Sequence, residues 1–458
     1  MPGRPLGHLP GRLLGRTAVI GAAACALALP SAGAAWAGPG APPHTERVSV
    51  AADGTQAAGA STTEAVSADG RYVVFTSTAA NLVPGDTNGV ADIFVKDLRT
   101  KKVERVSVAT GGAQADLRSS GAAISADGRY VAFASDAANL VPGDDDGTDD
   151  VFVRDRHTGR TERVSSGTAA GPQPYGAWMP AISADGNVVA YASRRADLVP
   201  GDTNNAQDIF AYDRSTHTTR RVSVAADGAQ ANGPSASPVI SADGRHVAFT
   251  SRAYNMEPGT PPREEPGGAS VAKPREYPSY IHDLRTGRTR ALSVSSAGKT
   301  AGGSVTSLSA DGRYAVFHSY WPDLVPQTPT REGRVYLRDL REGTTTLESL
   351  AADGSQADSS SYGGRLADHG RLLFFHSSAT NLVPGDANSA GDVFVRDLVT
   401  GRVELVSLAN DDSQATTWTD AVEVDAEGRI AVFDSDDSHL VAGDTNAAED
   451  VFVRHVEP

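Results

Sequence analysis

Cysteine is all but missing. Cys25 is the single one in 458 residues, and it lies near the N-terminus, so the body of the chain is expected to hold no disulfide. Stability outside a cell must then come from packing, with bound ions as a further source. Positive charge is also in deficit. Lys and Arg number 41 against 56 Asp and Glu, a formal charge of 41 − 56 = −15. No basic stripe offsets it, which excludes nucleic acid as an expected partner, because phosphate contact supplies most such affinity. Helical periodicity is absent. So are a Gly-x-Ser-x-Gly nucleophile elbow, a His-Glu-x-x-His pair, a phosphate loop and a dinucleotide fingerprint. The familiar hydrolase, metalloprotease and nucleotide chemistries therefore have no carrier in this sequence.

The N-terminus reads separately. Arg4, Arg12 and Arg16 precede an apolar run from Ala18 to Leu29, and Ala35-Trp36-Ala37 offers small residues at a cleavage point. This is the pattern of a secretory signal peptide over 1–37, too short for a committed membrane span. No twin-arginine pair is present, so the general export route is expected. Residues 38–45 read as a short flexible N-terminus, and 46–458 as the folded body of a secreted or envelope-associated protein. No transmembrane segment is expected after signal removal, and the body is expected to be monomeric.

What the body does contain is one unit, seven times. Val48, Val106, Val164, Val222, Leu292, Glu348 and Val406 are equivalent, with steps of 58, 58, 58, 70, 56 and 58 residues. A fixed period of this size means stacked supersecondary units, none of which can bury its apolar faces alone. In the second copy four β segments stand out: Ala122–Ser125, Tyr130–Ser135, Asp150–Arg154 and Thr161–Ser165. Ser-Ala-Asp-Gly (Ser125–Gly128) separates the first pair, and Asp-Gly supplies the positive φ of a tight hairpin. Arg156-His157-Thr158-Gly159 turns the last pair. Four antiparallel strands per unit make a propeller blade, and seven units make an all-β, seven-bladed propeller. The chain opens on an outermost-type strand (Glu46–Val50) and ends on a third-type strand (Asp450–Val453), so pairing the two closes the ring and removes an exposed edge.

Ser-Ala-Asp-Gly-Arg-Tyr-Val-Ala-Phe-Ala-Ser (Ser125–Ser135), followed by Asp-Val-Phe-Val-Arg-Asp (Asp150–Asp155), resembles the TolB-type β-propeller repeats of secreted and periplasmic bacterial proteins. The resemblance covers the whole body and implies its fold. It leaves function open, because such propellers serve as partner platforms, as regulatory lids on peptidases and as pectin-fragment lyases. Ala replaces the usual Pro of the turn, and TolB's helical N-terminal domain has no counterpart.

Strand order puts both hairpins of each blade on one face. The loops after the second strand and between blades lie on the other, which is the expected binding surface. Five blades carry Gly-Asp-x-(Asn/Asp)-x-x-x-Asp there: Asp86, Asn88, Asp92; Asp144, Asp146, Asp150; Asp202, Asn204, Asp208; Asp386, Asn388, Asp392; and Asp444, Asn446, Asp450. Alternating oxygen side chains suit a hard cation such as calcium, though the spacing is not that of an EF-hand. The plainer reading is that Asp and Asn cap the turn through backbone amides. A recurrent Gln (Gln56, Gln114, Gln173, Gln230, Gln356, Gln414) is expected to satisfy backbone groups where blades meet.

Departures from the repeat bear more on function. The end of the second strand reads Thr76, Ala134, Ala192, Thr250, His318, His376 and Asp434. His318, His376 and Asp434 could hold a metal or act as acid and base, and the resemblance implies mouth histidines in its lyases. Second strands about 10 Å apart make inter-blade packing the plainer account. Trp178, Trp321 and Trp418 fall on the long-loop face with Tyr175, Tyr320 and Tyr362, where aromatic rings would suit sugars or peptides. A Pro-rich arm between Met256 and Tyr280 overhangs the same face. The leading expectation is a secreted, non-enzymatic scaffold binding a protein, peptide or glycan there, with calcium as a stabilising ion. The alternative is a metal-assisted polysaccharide lyase or hydrolase working in the propeller mouth.

Overall fold

β-Branched and aromatic residues crowd into two segments of each repeat, and those segments become the most deeply buried strands. The computed structural model describes residues 43–144, 147–168, 175–257, 276–326, 332–367 and 370–456. Its strands, β1 to β28 in chain order, form seven four-stranded antiparallel sheets. The signal peptide, most of the 38–45 segment, Asp146, Gln173 and the Pro-rich run 258–275 lie outside the described residues.

The first blade runs outward as β2 (Ser61–Val66), β3 (Tyr72–Ser77), β4 (Asp92–Asp97) and β5 (Val103–Arg105). Each blade's first strand touches that of the next, and the seventh touches the first, so the ring is closed. The closing sheet joins β26 (Thr419–Val424), β27 (Ile430–Ser435) and β28 (Asp450–His455) to β1 (His44–Arg47), with His44 opposite His455 and Arg47 opposite Phe452. That strand is His44–Arg47 rather than the expected Glu46–Val50. The Val48 amide still donates to the Val451 carbonyl at 2.7 Å; beyond it the chain leaves the ladder, the Ser49 hydroxyl donating to Asp450 at 2.5 Å and Val50 bridging Gln56 instead.

The hydrophobic core lies between blades. Val73, Phe75 and Phe94 of the first blade pack with Ile430, Val432, Val451 and Val453 of the seventh. Every blade carries one buried cross-strand aromatic pair between its second and third strands, with ring centroids from 5.4 Å (Phe317–Tyr336) to 6.1 Å (Phe249–Tyr280). Burying each such ring contributes about 1.5–3 kcal/mol. The Asp-Gly hairpins key one blade into another: Gly128 has φ +72°, and a Cβ there would sit 2.2 Å from the Tyr72 ring of the preceding blade.

One regular feature has no signature in the repeat. All seven innermost strands slip register against their neighbours through a bulge. In five blades a residue there takes positive φ: Gly121, Met179, Ser237, Gly363 and Ala421. The bulge bends each inner strand at the central channel, and three of these residues carry a side chain against the usual preference.

Candidate functional site

The Asp/Asn loops are built around an arginine that the motif itself does not contain. In the first blade Arg105 Nη1 lies 3.0 Å from Asp86 and 3.4 Å from Asp92. Arg163 stands 3.1 Å from Asp144 and 3.0 Å from Asp150. Arg47 stands 3.2 Å from Asp444 and 3.5 Å from Asp450, and Arg221 is 3.8 Å from Asp202. The other oxygen of the final Asp accepts a serine hydroxyl, from Ser107, Ser165, Ser223 and Ser49 at 2.5 Å and from Ser407 at 2.6 Å. The Asn side chains span the blade junction. Asn88, Asn204, Asn388 and Asn446 donate to the carbonyls of Ala115, Ala231, Ala415 and Ala57, and accept the amide two residues on. Gln56, Gln114 and Gln414 accept backbone amides of the same loops.

The four Asn-bearing triplets are therefore capped loops, and in four blades a guanidinium lies against the carboxylates. The partners were visible in the segment used to register the repeats. Arg47-Val48-Ser49-Val50 contains both the arginine and the serine, and Arg105-Val106-Ser107 repeats it. The pleat sends Arg and Ser to the same side of the outer strand, toward the third strand's first residue.

The mouth residues pair across the innermost and second strands. Trp178 faces Ala192, Ser304 faces His318, Tyr362 faces His376 and Asp420 faces Asp434. Tyr362, from β22 (Ser361–Leu366), stacks on His376 at 5.5 Å with the rings 11° from parallel. Burial pushes His376 down to about 4, so its imidazole is neutral near pH 7. Burial lowers His318 as well, and its ring meets Tyr320 edge-on at 6.5 Å. Asp434 accepts the Thr63 amide at 3.1 Å and is pushed up to about 8 by burial, with Glu449 adding to the effect. The structure therefore strings His318, His376 and Asp434 along successive blades, each engaged with its own neighbours. Among the described residues, the one group of three metal-ligating side chains with ligand atoms within 4.8 Å of each other is His44, Glu46 and His455 at the ring closure. Its two imidazoles stack face to face at 4.2 Å, and Lys101 binds Glu46 at 2.5 Å.

The aromatic candidates divide. Trp178 is half-buried against the cluster containing Ile209 and Val247, so it pins its strand. Tyr362 is half-buried on His376. Tyr175, Trp321 and Trp418 remain 49%, 47% and 51% exposed, and the Trp418 ring lies over Gly391.

Sequence reasoning missed the cavity beside them. About 320 Å³ opens on the long-loop face where the third, fourth and fifth blades meet, lined by Arg194, Arg252, Tyr277, Ser237, Thr250 and Ser304 among others. Arg252 lies over the Tyr277 ring at 4.6 Å and Arg194 over Tyr175 at 5.9 Å. Both guanidiniums are exposed, and neither forms an ion pair among the described residues. Arg252 and Arg194 follow their second strands directly, at positions where other blades carry Thr78, Asp136 or Asp436. That charge reversal was the available signal.

No protein-family model matches the chain, and no curated protein matches its sequence. Its likenesses are structural. Oligogalacturonate lyase of Vibrio parahaemolyticus superposes with a TM-score of 0.53 at 11% identity, covering 90% of this chain and 93% of that one. The propeller domain of the trilobed protease of Pyrococcus furiosus gives 0.46 at 11% identity, with 82% and 91% covered. A putative TolB of Agrobacterium tumefaciens gives 0.38 at 16%, with 63% and 80% covered. At these identities the likeness shows the fold alone. The chain is a seven-bladed β-propeller, and its chemistry has to be argued from its own residues.

Proposed function

We propose that this chain is a secreted, non-enzymatic propeller scaffold whose long-loop face binds a short carboxylate-bearing ligand, a peptide or an acidic glycan. The observation that supports it is the 320 Å³ cavity with two exposed, tyrosine-backed guanidiniums that form no ion pair among the described residues. Guanidinium is the side chain best matched to a carboxylate, and stacking on tyrosine pre-orders it. Ser237, Thr250 and Ser304 add hydroxyls suited to a ligand's remaining polar groups. A chain of formal charge −15 repels a long polyanion, which favours a ligand of one or two acidic groups.

Titration with a galacturonic acid dimer and a C-terminally amidated diglutamate peptide tests this. Binding by either probe is expected, with affinity falling about 10- to 100-fold in an Arg194→Ala, Arg252→Ala double variant. Failure of both probes, or an unchanged affinity in that variant, refutes the mouth as the site. Turnover of either probe that disappears in His376→Ala refutes the non-enzymatic reading in favour of a lyase or hydrolase.

A further inference from the structure

The sixth blade keeps the acidic loop and has lost its arginine. At the strand position opposite the third-strand aromatic, four blades carry Arg47, Arg105, Arg163 and Arg221. The fourth and fifth blades carry Ala291 and Leu347 there, and they have also lost the acidic loop. Loop and arginine thus go together in six blades of seven. The sixth is the exception: Leu405, in β25 (Val403–Leu405), faces Phe394 of β24 (Asp392–Asp397), while Asp386 and Asp392 are both retained.

The consequence is electrostatic. Asp392 is 1% exposed, and its Oδ1 accepts Ser407 at 2.6 Å. Its Oδ2 makes no geometrically complete hydrogen bond among the described residues, although the Asn388 amide interacts with this carboxylate, whereas the equivalent oxygens of Asp92, Asp150 and Asp450 lie 3.0–3.5 Å from a guanidinium nitrogen. Asp386 is held by Gln414 Nε2 at 3.2 Å. A buried carboxylate with no cation beside it is costly, and four sister blades show that this place is shaped for a cation.

We propose that the sixth blade binds one hard divalent cation, calcium by its oxygen donors, between Asp386 and Asp392 where the other blades seat a guanidinium. The Gly385 carbonyl is a third donor by position, since its equivalent, Gly85 O, accepts Arg105 Nη2 at 3.5 Å. Calcium–oxygen bonds of about 2.3–2.6 Å are shorter than the guanidinium contacts. Asp386 therefore swings inward by about an ångström, which its half-buried loop position permits, and water completes the shell. The site lies outside the mouth, so it stands or falls independently of ligand binding there. It also narrows the cation reading of the five loops to the one whose carboxylates lack an arginine.

Chelator-treated protein titrated with calcium by calorimetry is expected to bind one ion per chain with a dissociation constant of about 10⁻⁴–10⁻³ M. Its melting temperature should rise about 2–3 °C in about 10 mM calcium. Magnesium, which demands a tighter octahedral shell, should do less. Leu405→Arg restores the sister blades' guanidinium, so it should abolish binding and make melting independent of calcium. Asp386→Asn removes one carboxylate without burying anything new, and should also lose binding even if Leu405→Arg does not fold. Trp418, lying over Gly391 beside Asp392, gives a fluorescence readout of the same event. Melting of the wild type unmoved by calcium overturns the proposal. So does undiminished calcium affinity in either variant.

Discussion

Replacing Arg105 by leucine converts the first blade into a chemical copy of the sixth. The guanidinium is 10% exposed, and the side chains of Asp86 and Asp92 are 4% and 0% exposed, so water screens this triad poorly. Removing one partner of a buried pair costs about 3–5 kcal/mol, because the surviving charges stay desolvated. A folded body of this length gains roughly 0.9 kcal/mol per kelvin of unfolding entropy at its midpoint. The melting temperature of Arg105→Leu at pH 7 should therefore fall by about 3–6 °C. The deficit should shrink toward pH 5, where protons neutralise the orphaned carboxylates. Asp392, which lacks an arginine already, shows the direction, being pushed up to about 6 by burial. Calcium should also restore part of the loss in this variant, as it stabilises the sixth blade of the wild type. Differential scanning calorimetry at both pH values, with and without chelator, reads all three effects. A drop below about 1 °C, or one independent of pH, refutes the view that these arginines neutralise buried charge.

The whole molecule should be most stable on the acid side of neutrality. Burial raises Asp434 to about 8, Asp149 to about 7 and Asp208 to about 6, all above the unfolded value near 3.9. Buried His376 and His282, pushed down to about 4, oppose this below the ordinary histidine value near 6.5. Above it Asp434 and Asp149 hold protons that the unfolded chain has released, so stability falls as pH rises from about 6.5 to 8; melting in chelator that stays flat or climbs over this range contradicts it. Below about pH 4 a different set takes over. Arg129 holds Asp155, and Arg245 holds Asp283, far below the usual carboxylate range, and their contribution fades as acid protonates them. Gly128→Ala should destabilise more than Gly54→Ala. Both sites have positive φ, at +72° and +88°, but only Gly128 lies against a ring. The shared backbone strain costs about 1 kcal/mol and the clash with Tyr72 adds about 1–3 kcal/mol, so equal melting temperatures would refute the keyed-blade account.

The architecture was legible because each local signal repeats seven times. The Ser-Ala-Asp-Gly turns fall where strands reverse, Tyr130–Ser135 is the buried strand its Phe and Val foretell, and the terminal strands do pair. The candidate sites were less legible for a physical reason. Where an arginine clamps the loop it stands on another strand, thirteen residues or more downstream as with Asp92 and Arg105, or at the other end of the chain as with Asp450 and Arg47, so loop spacing alone cannot distinguish an ion cage from an arginine clamp. The mouth cavity is harder still. It is assembled from the third, fourth and fifth blades, and Ser237 reaches it on a bulge that no sequence pattern marks. Trp178 is half-buried against a core cluster while its neighbour Met179 is 48% exposed, because one step along a strand moves a side chain from one face to the other.

Divergence around the ring is not scattered. The seventh, first, second and third blades keep the arginine clamp, while the fourth, fifth and sixth have lost it, and these blades are contiguous. The cavity with Arg194 and Arg252 opens along the border of that arc, and His318 and His376 lie within it. Every blade meets the same packing demand, so structural need alone would spread substitutions evenly. A contiguous arc that gives up a buried ion pair, carries buried histidines and has exposed guanidiniums at its border is better explained by a local demand other than folding. Transplanting the clamp tests that logic. Leu347→Arg in the fifth blade, where no acidic loop awaits it, should destabilise, whereas Leu405→Arg in the sixth should not. If both variants melt alike, the arc is drift rather than function, and the reasoning that singles out this side of the ring fails.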